Sequence, residues 1–227
     1  MINVDIVIVS DSNSEDLKNM MIHTLNTLYS SENNINFYTY IVESSNCDFS
    51  YIHKNIKMIK PLPPFGYHKY LNIGRKAGRS EYVCLCNNDL DFKKGWATSI
   101  INEMKNDSKL LSASPYSNNP HLTLYGIKKN SGNYNGYQVT KHLAGWCIFQ
   151  RRSIYSIIGD LDERFIFWYC DNDYSMELKR RGLKHSLISS SVVNHLTSKT
   201  LNTKKQNERN LLTIKQSNVF KQKWNRK

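Results

Sequence analysis

Short apolar runs alternate with amphipathic stretches through the first 115 residues, and this alternation constrains the fold more than any single motif. Residues 4–9 read as a strand. Residues 14–29 read as a helix, with Ser14 as its cap and Leu17, Met20, Met21, Thr24, Leu25 and Leu28 tracing one apolar face. Strand patterns recur at 37–42, 56–59, 81–87 and 110–114. Helical patterns fill 66–77, closed by Gly78, and 95–105. Alternation of this kind predicts an α/β fold: a mainly parallel central sheet with helices on both faces. At 227 residues the chain suits one sizeable domain, or a domain with a small appendage.

Beyond residue 115 the pattern changes. Residues 115–138 are rich in Asn, Gly, Tyr and Ser and lack periodicity, so a mobile loop is expected. Residues 139–150 are apolar and read as a strand, 171–181 as a helix ended by Gly182, and 186–193 as a β-branched strand finishing at Asn194-His195. Residues 204–224 predict a basic amphipathic helix with Leu211, Leu212, Ile214, Val219 and Phe220 as apolar contacts. The expected division is a domain at 1–196, with halves 1–115 and 116–196, followed by a basic helical extension at 197–227.

Several classes are disfavoured. No apolar run approaches the roughly 18 residues of a membrane span. The first residues read as a strand rather than a leader, which predicts a cytoplasmic protein. The five cysteines, Cys47, Cys84, Cys86, Cys147 and Cys170, include no zinc-like CxxC pairs and read as reduced buried thiols. Ser10-Asp11-Ser12-Asn13 follows the first strand where a dinucleotide fold needs glycines, and no P-loop occurs.

The run Cys84-Leu85-Cys86-Asn87-Asn88-Asp89-Leu90-Asp91 places two aspartates just past a buried strand. If extension persists, side chains at i and i+2 point the same way. Two parallel carboxylates repel unless a cation lies between them, and a hard divalent ion accepts such oxygens. A metal site holding a phosphate-bearing ligand and a solvated acidic turn are the two readings of this motif.

A second acidic constellation is Phe165-Ile166-Phe167-Trp168-Tyr169-Cys170-Asp171-Asn172-Asp173, running on to Arg180-Arg181-Gly182. Gly145-Trp146 opens a strand ending in Arg151-Arg152, and Gly159-Asp160-Leu161-Asp162-Glu163-Arg164-Phe165 precedes the acidic run. In this order, from Val4 to His195, the chain resembles the family 2 glycosyltransferases of the GT-A fold, the Rossmann-like nucleotide-diphospho-sugar transferases.

The resemblance implies a metal-dependent, inverting transfer of sugar from a nucleotide-diphosphate donor, UDP-linked, with Mn2+ or Mg2+ as cofactor. It implies metal ligation by Asp89, Asp91 and His195, with Asp91 the more direct ligand and Asp89 able to touch the donor's ribose or sugar. It places Ser10, Asp11, Ser12 and Glu43 at the nucleobase and ribose, and Gly66, Asn72 and Asn88 near the nucleotide. The family's usual Glu-Asp pair stands here as Cys170-Asp171. Asp171 is therefore the implied general base, with Asp173 the alternative. Trp146 reads either as a stacking platform beside the sugar or as core packing.

The net charge of +12 bears on the acceptor. Nine basic residues lie between Leu196 and Lys227 against the single acid Glu208, and Lys179-Arg180-Arg181 form another cluster. Tyr116, Tyr125, Tyr134 and Tyr137 are interleaved with Lys128 and Lys129, a mixture that suits nucleic acid. Small basic glycosyltransferases of this kind look like those with which tailed phages decorate hydroxymethylcytosine in DNA, the arabinosyltransferases in particular; arabinose or glucose is the sugar implied. Duplex DNA is thus the expected acceptor. A surface polysaccharide or lipid-linked sugar, as for rhamnosyltransferases, is the rival. A non-catalytic DNA-binding protein on the same fold is a third reading.

Overall fold

The computed structural model describes residues 1–46, 51, 53–118, 120–196 and 206–224. Cys47, and Lys199 at the head of the basic extension, lie outside them. In chain order the elements are β1 (Ile2–Ser10), α1 (Glu15–Ser30), β2 (Ile35–Glu43), β3 (Ile56–Ile59), α2 (Tyr67–Ala77), β4 (Tyr82–Cys86), β5 (Leu90–Phe92) and α3 (Trp96–Asn106). There follow β6 (Leu110–Tyr116), α4 (Pro120–Leu124), β7 (Asn133–Asn135), β8 (Cys147–Arg151), α5 (Ile154–Ile158), α6 (Cys170–Arg180), β9 (Lys184–His195) and α7 (Gln206–Trp224). Local chemistry sets the boundaries of α1 as the sequence predicts: the Ser14 hydroxyl accepts the Leu17 N–H at 3.4 Å, satisfying one otherwise orphaned donor.

The strands form one sheet in the order β3-β2-β1-β4-β8-β6-β9-β5, with β7 also paired to β9. The left half, β3-β2-β1-β4, is wholly parallel. In the right half β8 runs antiparallel to both β4 and β6, and β5 and β7 run antiparallel to β9; only β6-β9 is parallel there. The sheet is therefore parallel through its left half and mixed in its right half. A parallel pair requires a crossover from one end of the sheet to the other. The chain after β6 makes its excursion at the end where β6 exits and re-enters there as β8.

Apolar alternation along the strands feeds two cores. Val4, Ile6 and Ile8 of β1 pack with Met21, Leu25 and Leu28 of α1 and with Trp96, Ile100 and Met104 of α3. Val7, Val83 and Leu85 face the other way, onto Leu71 of α2, Ile154 of α5 and Tyr174 and Leu178 of α6. Helices thus cover both faces, as the alternation predicts. No helix among the described residues is long and apolar enough to cross a membrane.

The described residues of the stretch read as a loop carry short elements and a small core of their own. Tyr116 ends β6, and α4 and β7 lie within the stretch. Leu122 and Ile127 pack with Tyr116 on Leu187 and Val192 of β9, with Tyr134 against them. These anchors obey neither a helical nor a strand period, so pattern reading passes over them. The expected strand at 139–150 shrinks to β8.

Candidate active site

Parallel strands present their C-terminal ends at one edge of the sheet, where ligands of α/β folds collect. A cavity of about 630 Å³ opens there. Ser10, Asp11 and Asn87–Asp89 line it, as do 139–141, 143–146 and 167–171.

Asp89 and His195 meet in this cavity. Leu90 of β5 pairs with His195 of β9, which brings the preceding aspartate alongside the imidazole. Asp89 Oδ1 lies 3.0 Å from His195 Nε2, yet both atoms are buried and neither makes a hydrogen bond. At that separation the failure is one of direction. Buried polar atoms left in this way call for an explanation, and an ion held between them would supply it. The Trp146 ring lies parallel to the imidazole, 5.4 Å between centroids. This contact holds the ring of His195 in place and joins Trp146 to the site.

Asp91 lies apart from it. The backbone bends at Asn88 and Asp89, so the extension that would align the two aspartates does not persist. Asp91 falls opposite Asn194, pairs with Lys93 Nζ at 2.6 Å and does not line the cavity. Geometry thus brings Asp89, not the expected Asp91, to His195.

The nucleotide-side candidates divide in the same way. Ser10, Asp11 and Asn88 line the cavity. Ser12 and Glu43 bind each other behind it: Glu43 Oε1 accepts the Ser12 N–H at 3.0 Å and Oε2 accepts the Ser12 hydroxyl at 2.8 Å. Burial alone would raise the Glu43 carboxyl, but donors from Ser12 and Ser45 outweigh it and hold the group below its ordinary value. Glu43 therefore ties the end of β2 to the turn after β1. Asn72 is also committed elsewhere. Its amide donates to Leu161 O at 2.9 Å and accepts the Leu161 N–H at 3.0 Å, stapling α2 to the turn before α6. Gly66 caps α2 and faces Ile166 rather than the cavity.

The two aspartates of α6 separate cleanly. Asp171 lines the cavity, and the Asn172 N–H donates to its Oδ1 at 2.8 Å. Burial pushes its carboxyl up, with backbone N–H groups offsetting part of the effect. A cavity-facing carboxylate with enhanced proton affinity can accept a proton from a bound hydroxyl. Asp173 points away: Trp224 Nε1 donates to its Oδ1 at 2.8 Å and Lys223 Nζ lies 2.7 Å from it. Cys170 offers its thiol to Phe165 O and Phe167 O at 3.5 Å each.

Other residues reach the cavity that the motif reading did not single out. Tyr67 and His68 come from the first turn of α2, and the Tyr67 hydroxyl donates to Asn87 Oδ1 at 2.9 Å. Phe167, Trp168 and Tyr169 form an aromatic wall, and the buried Trp168 indole N–H has no partner. Gly145 packs against Asp171: a Cβ there would stand 2.6 Å from the Asp171 Cβ. The sequence signal was present, since Gly145 opens a motif and the aromatic triplet precedes Asp171. Aromatic residues, however, serve cores as often as sites.

Much of the basic surface is neutralised internally. Arg180 and Arg181 bind Glu177, Arg152 binds the buried Asp5, and Lys223 is surrounded by carboxylates. The cavity lining itself contains one basic residue, Lys141.

No protein-family model matches the chain, and no curated protein matches it in sequence. Solved structures do. GalNAc-T7 with UDP, GalNAc and Mn2+ superposes with a TM-score of 0.62 at 14% identity, over 87% of this chain and 44% of that one. The mannosyltransferase PcManGT from Pyrobaculum calidifontis, in complex with GDP-Man and Mn2+, superposes with a TM-score of 0.65 at 11% identity, over 86% of this chain and 57% of that one. The chain thus spans about half the length of these two structures. Taken with the mixed sheet and its covering helices, the superpositions show that this chain has the GT-A glycosyltransferase fold.

Proposed function

We propose that this protein is a metal-dependent glycosyltransferase that moves a sugar from a nucleotide-diphosphate donor to an acceptor hydroxyl, with inversion. The observation that carries this reading is the pair of buried, unbonded atoms Asp89 Oδ1 and His195 Nε2, which share a cavity with Asp171. One carboxylate oxygen and one imidazole nitrogen suit Mn2+ or Mg2+. The shared fold supports the assignment, since GalNAc-T7 and PcManGT each carry a nucleotide or nucleotide sugar with Mn2+. The ion, when bound, neutralises charge on the leaving diphosphate. This chain's own residues do the rest. Asp89 and His195 hold the cation, and Ser10, Asp11 and Asn88 flank the nucleotide. Asp171 takes the proton of the attacking hydroxyl. A single base beside the site supports one in-line displacement.

Two acceptor readings each rest on an observation. The net charge of +12, with Lys128 and Lys129 exposed, supports duplex DNA carrying hydroxymethylcytosine. The aromatic wall, and Lys141 as the one lysine or arginine among the described lining residues, support a glycan acceptor whose sugar face stacks on Trp168. Incubation with UDP- and GDP-sugars and Mn2+, offering hydroxymethylated DNA, plain DNA and a glycan panel, tests all three parts by product mass. Transfer to hydroxymethylated DNA, lost on charge reversal at Lys128 and Lys129, selects the first acceptor. Glycan products with DNA ignored select the second. Full turnover in the presence of a chelator would sink the metal reading.

A further inference from the structure

The C-terminal helix α7 grips the segment that carries Asp171, and it does so with one face. Positions 216, 220, 223 and 224 follow the helical period, so their side chains point together. Gln216 is 1% exposed. Its Oε1 accepts the Ile166 N–H at 2.8 Å and its Nε2 donates to Arg164 O at 3.2 Å, so one amide reads both a donor and an acceptor of the turn. Phe220 packs beside Phe165 and Tyr169, with centroids 6.4 and 5.3 Å away. Lys223 Nζ stands 2.7 Å from Asp173, 3.0 Å from Asp162 and 3.4 Å from Glu177. Trp224 donates to Asp173.

The same turn is held from its opposite side by α2. The Tyr67 N–H donates to Ile166 O at 3.0 Å and the His68 N–H to Phe165 O at 3.4 Å. These are the first free N–H groups of a helix whose cap, Gly66, offers no side chain. Between the two clamps lie Phe167, Trp168 and Tyr169, which line the cavity, and Asp171. Tyr169 is left-handed, with φ of 64°. A residue with a Cβ keeps that conformation where its surroundings over-determine it. The Trp168 indole N–H, buried and without a hydrogen bond, belongs to the same segment.

We propose that Gln216 and Lys223 are positioning residues for sugar transfer, and that α7 is the outer support of the acceptor side of the site. Lys223 compensates the carboxylates behind α6 and thereby fixes the first turn of that helix, leaving Asp171 as its cavity-facing carboxylate. Gln216 sets the height of the aromatic wall. This rests on the reading of Asp171 as the base. The charge of α7 at Lys223 thus serves the interior of the protein rather than an external polyanion.

The test uses the full chain with Gln216→Ala, Lys223→Met and the conservative Lys223→Arg. Hydrogen exchange is followed at amides 166–171 and, as an internal reference, at Ser12 and Asn87. UDP binding with Mn2+ is measured by calorimetry, and transfer is measured with the donor and acceptor that the unaltered chain uses. The expected result is exchange at 166–171 faster by tenfold or more in Gln216→Ala and Lys223→Met, with the reference amides unchanged. UDP affinity should stay within twofold, because the hydrogen bonds, ion pairs and ring pairs of Gln216, Phe220, Lys223 and Trp224 among the described residues fall on 162–177 and not on Asp89 or His195. The kcat should fall tenfold or more, with Lys223→Arg recovering most of it. Unchanged exchange at 166–171 would overturn the proposal even without an activity assay. So would a kcat that falls only in step with UDP affinity. Asp171→Asn separates the two ideas: if it transfers sugar normally the base assignment fails, while the exchange result still decides whether α7 sets the segment.

Discussion

Gly145→Ala should damage catalysis through a single methyl group. Gly145 does not adopt a positive φ, so alanine meets no backbone penalty there. The obstacle is steric. The new Cβ would lie 2.6 Å from the Asp171 Cβ and 2.8 Å from its Oδ2. Carbon atoms rest at about 3.5–4.0 Å from one another, so the two elements must part by about 1 Å. Overpacking of this kind costs about 1–3 kcal/mol. A chain of this size loses about 2–4 °C in Tm per kcal/mol. The larger effect falls on turnover, since a displacement of about 1 Å at a reacting group can cost roughly 10²-fold. The assay pairs thermal melting with transfer kinetics and UDP binding. The expected outcome is a modest loss of Tm, unchanged UDP affinity and kcat lower by about two orders of magnitude. A Gly145→Ala chain with ordinary kcat would refute the placement of Asp171 against Gly145 or its role as base.

Three further outcomes follow from the same geometry. Asp89→Ala should abolish Mn2+-dependent UDP binding measured by calorimetry, while Asp91→Ala keeps it within a few-fold; the reverse order would restore Asp91 as the ligand. Asp171→Asn should lower kcat by about 10²–10⁴-fold yet raise Tm at neutral pH. The carboxyl's folded value is raised by burial, so the folded chain binds a proton that the unfolded chain releases. Stability from this group is therefore full below its ordinary range and falls as pH rises through the raised value, and Asn removes that loss; identical pH–Tm curves for the two chains would count against it. Tyr174→Phe should cost about 1–3 kcal/mol in denaturant titration. Its hydroxyl accepts from Gln150 Nε2 at 2.6 Å and donates to Ser112 Oγ at 2.9 Å, and removal leaves both buried without it.

The local features were legible because they depend on short-range physics. The Ser14 cap, the apolar face of α1, the buried β4 and the start of α6 beside Asp171 all follow from periodicity and capping within a few residues. The placement of an aspartate past β4 and a histidine at the end of β9 was equally readable, and a resemblance in motif order joined them into one site. Which aspartate faces the histidine was not. That choice depends on the bend at Asn88–Asp89 and on the β5-β9 register, which pairs segments about a hundred positions apart. Asn72 and Glu43 look like ligand-binding residues in one dimension, and become structural staples only when Leu161 and Ser12 are brought to them. The basic C-terminus reads as a nucleic-acid arm from charge alone. The fold sets its Lys223 among Asp162, Asp173 and Glu177, because Coulomb energy depends on distances that tertiary packing alone decides.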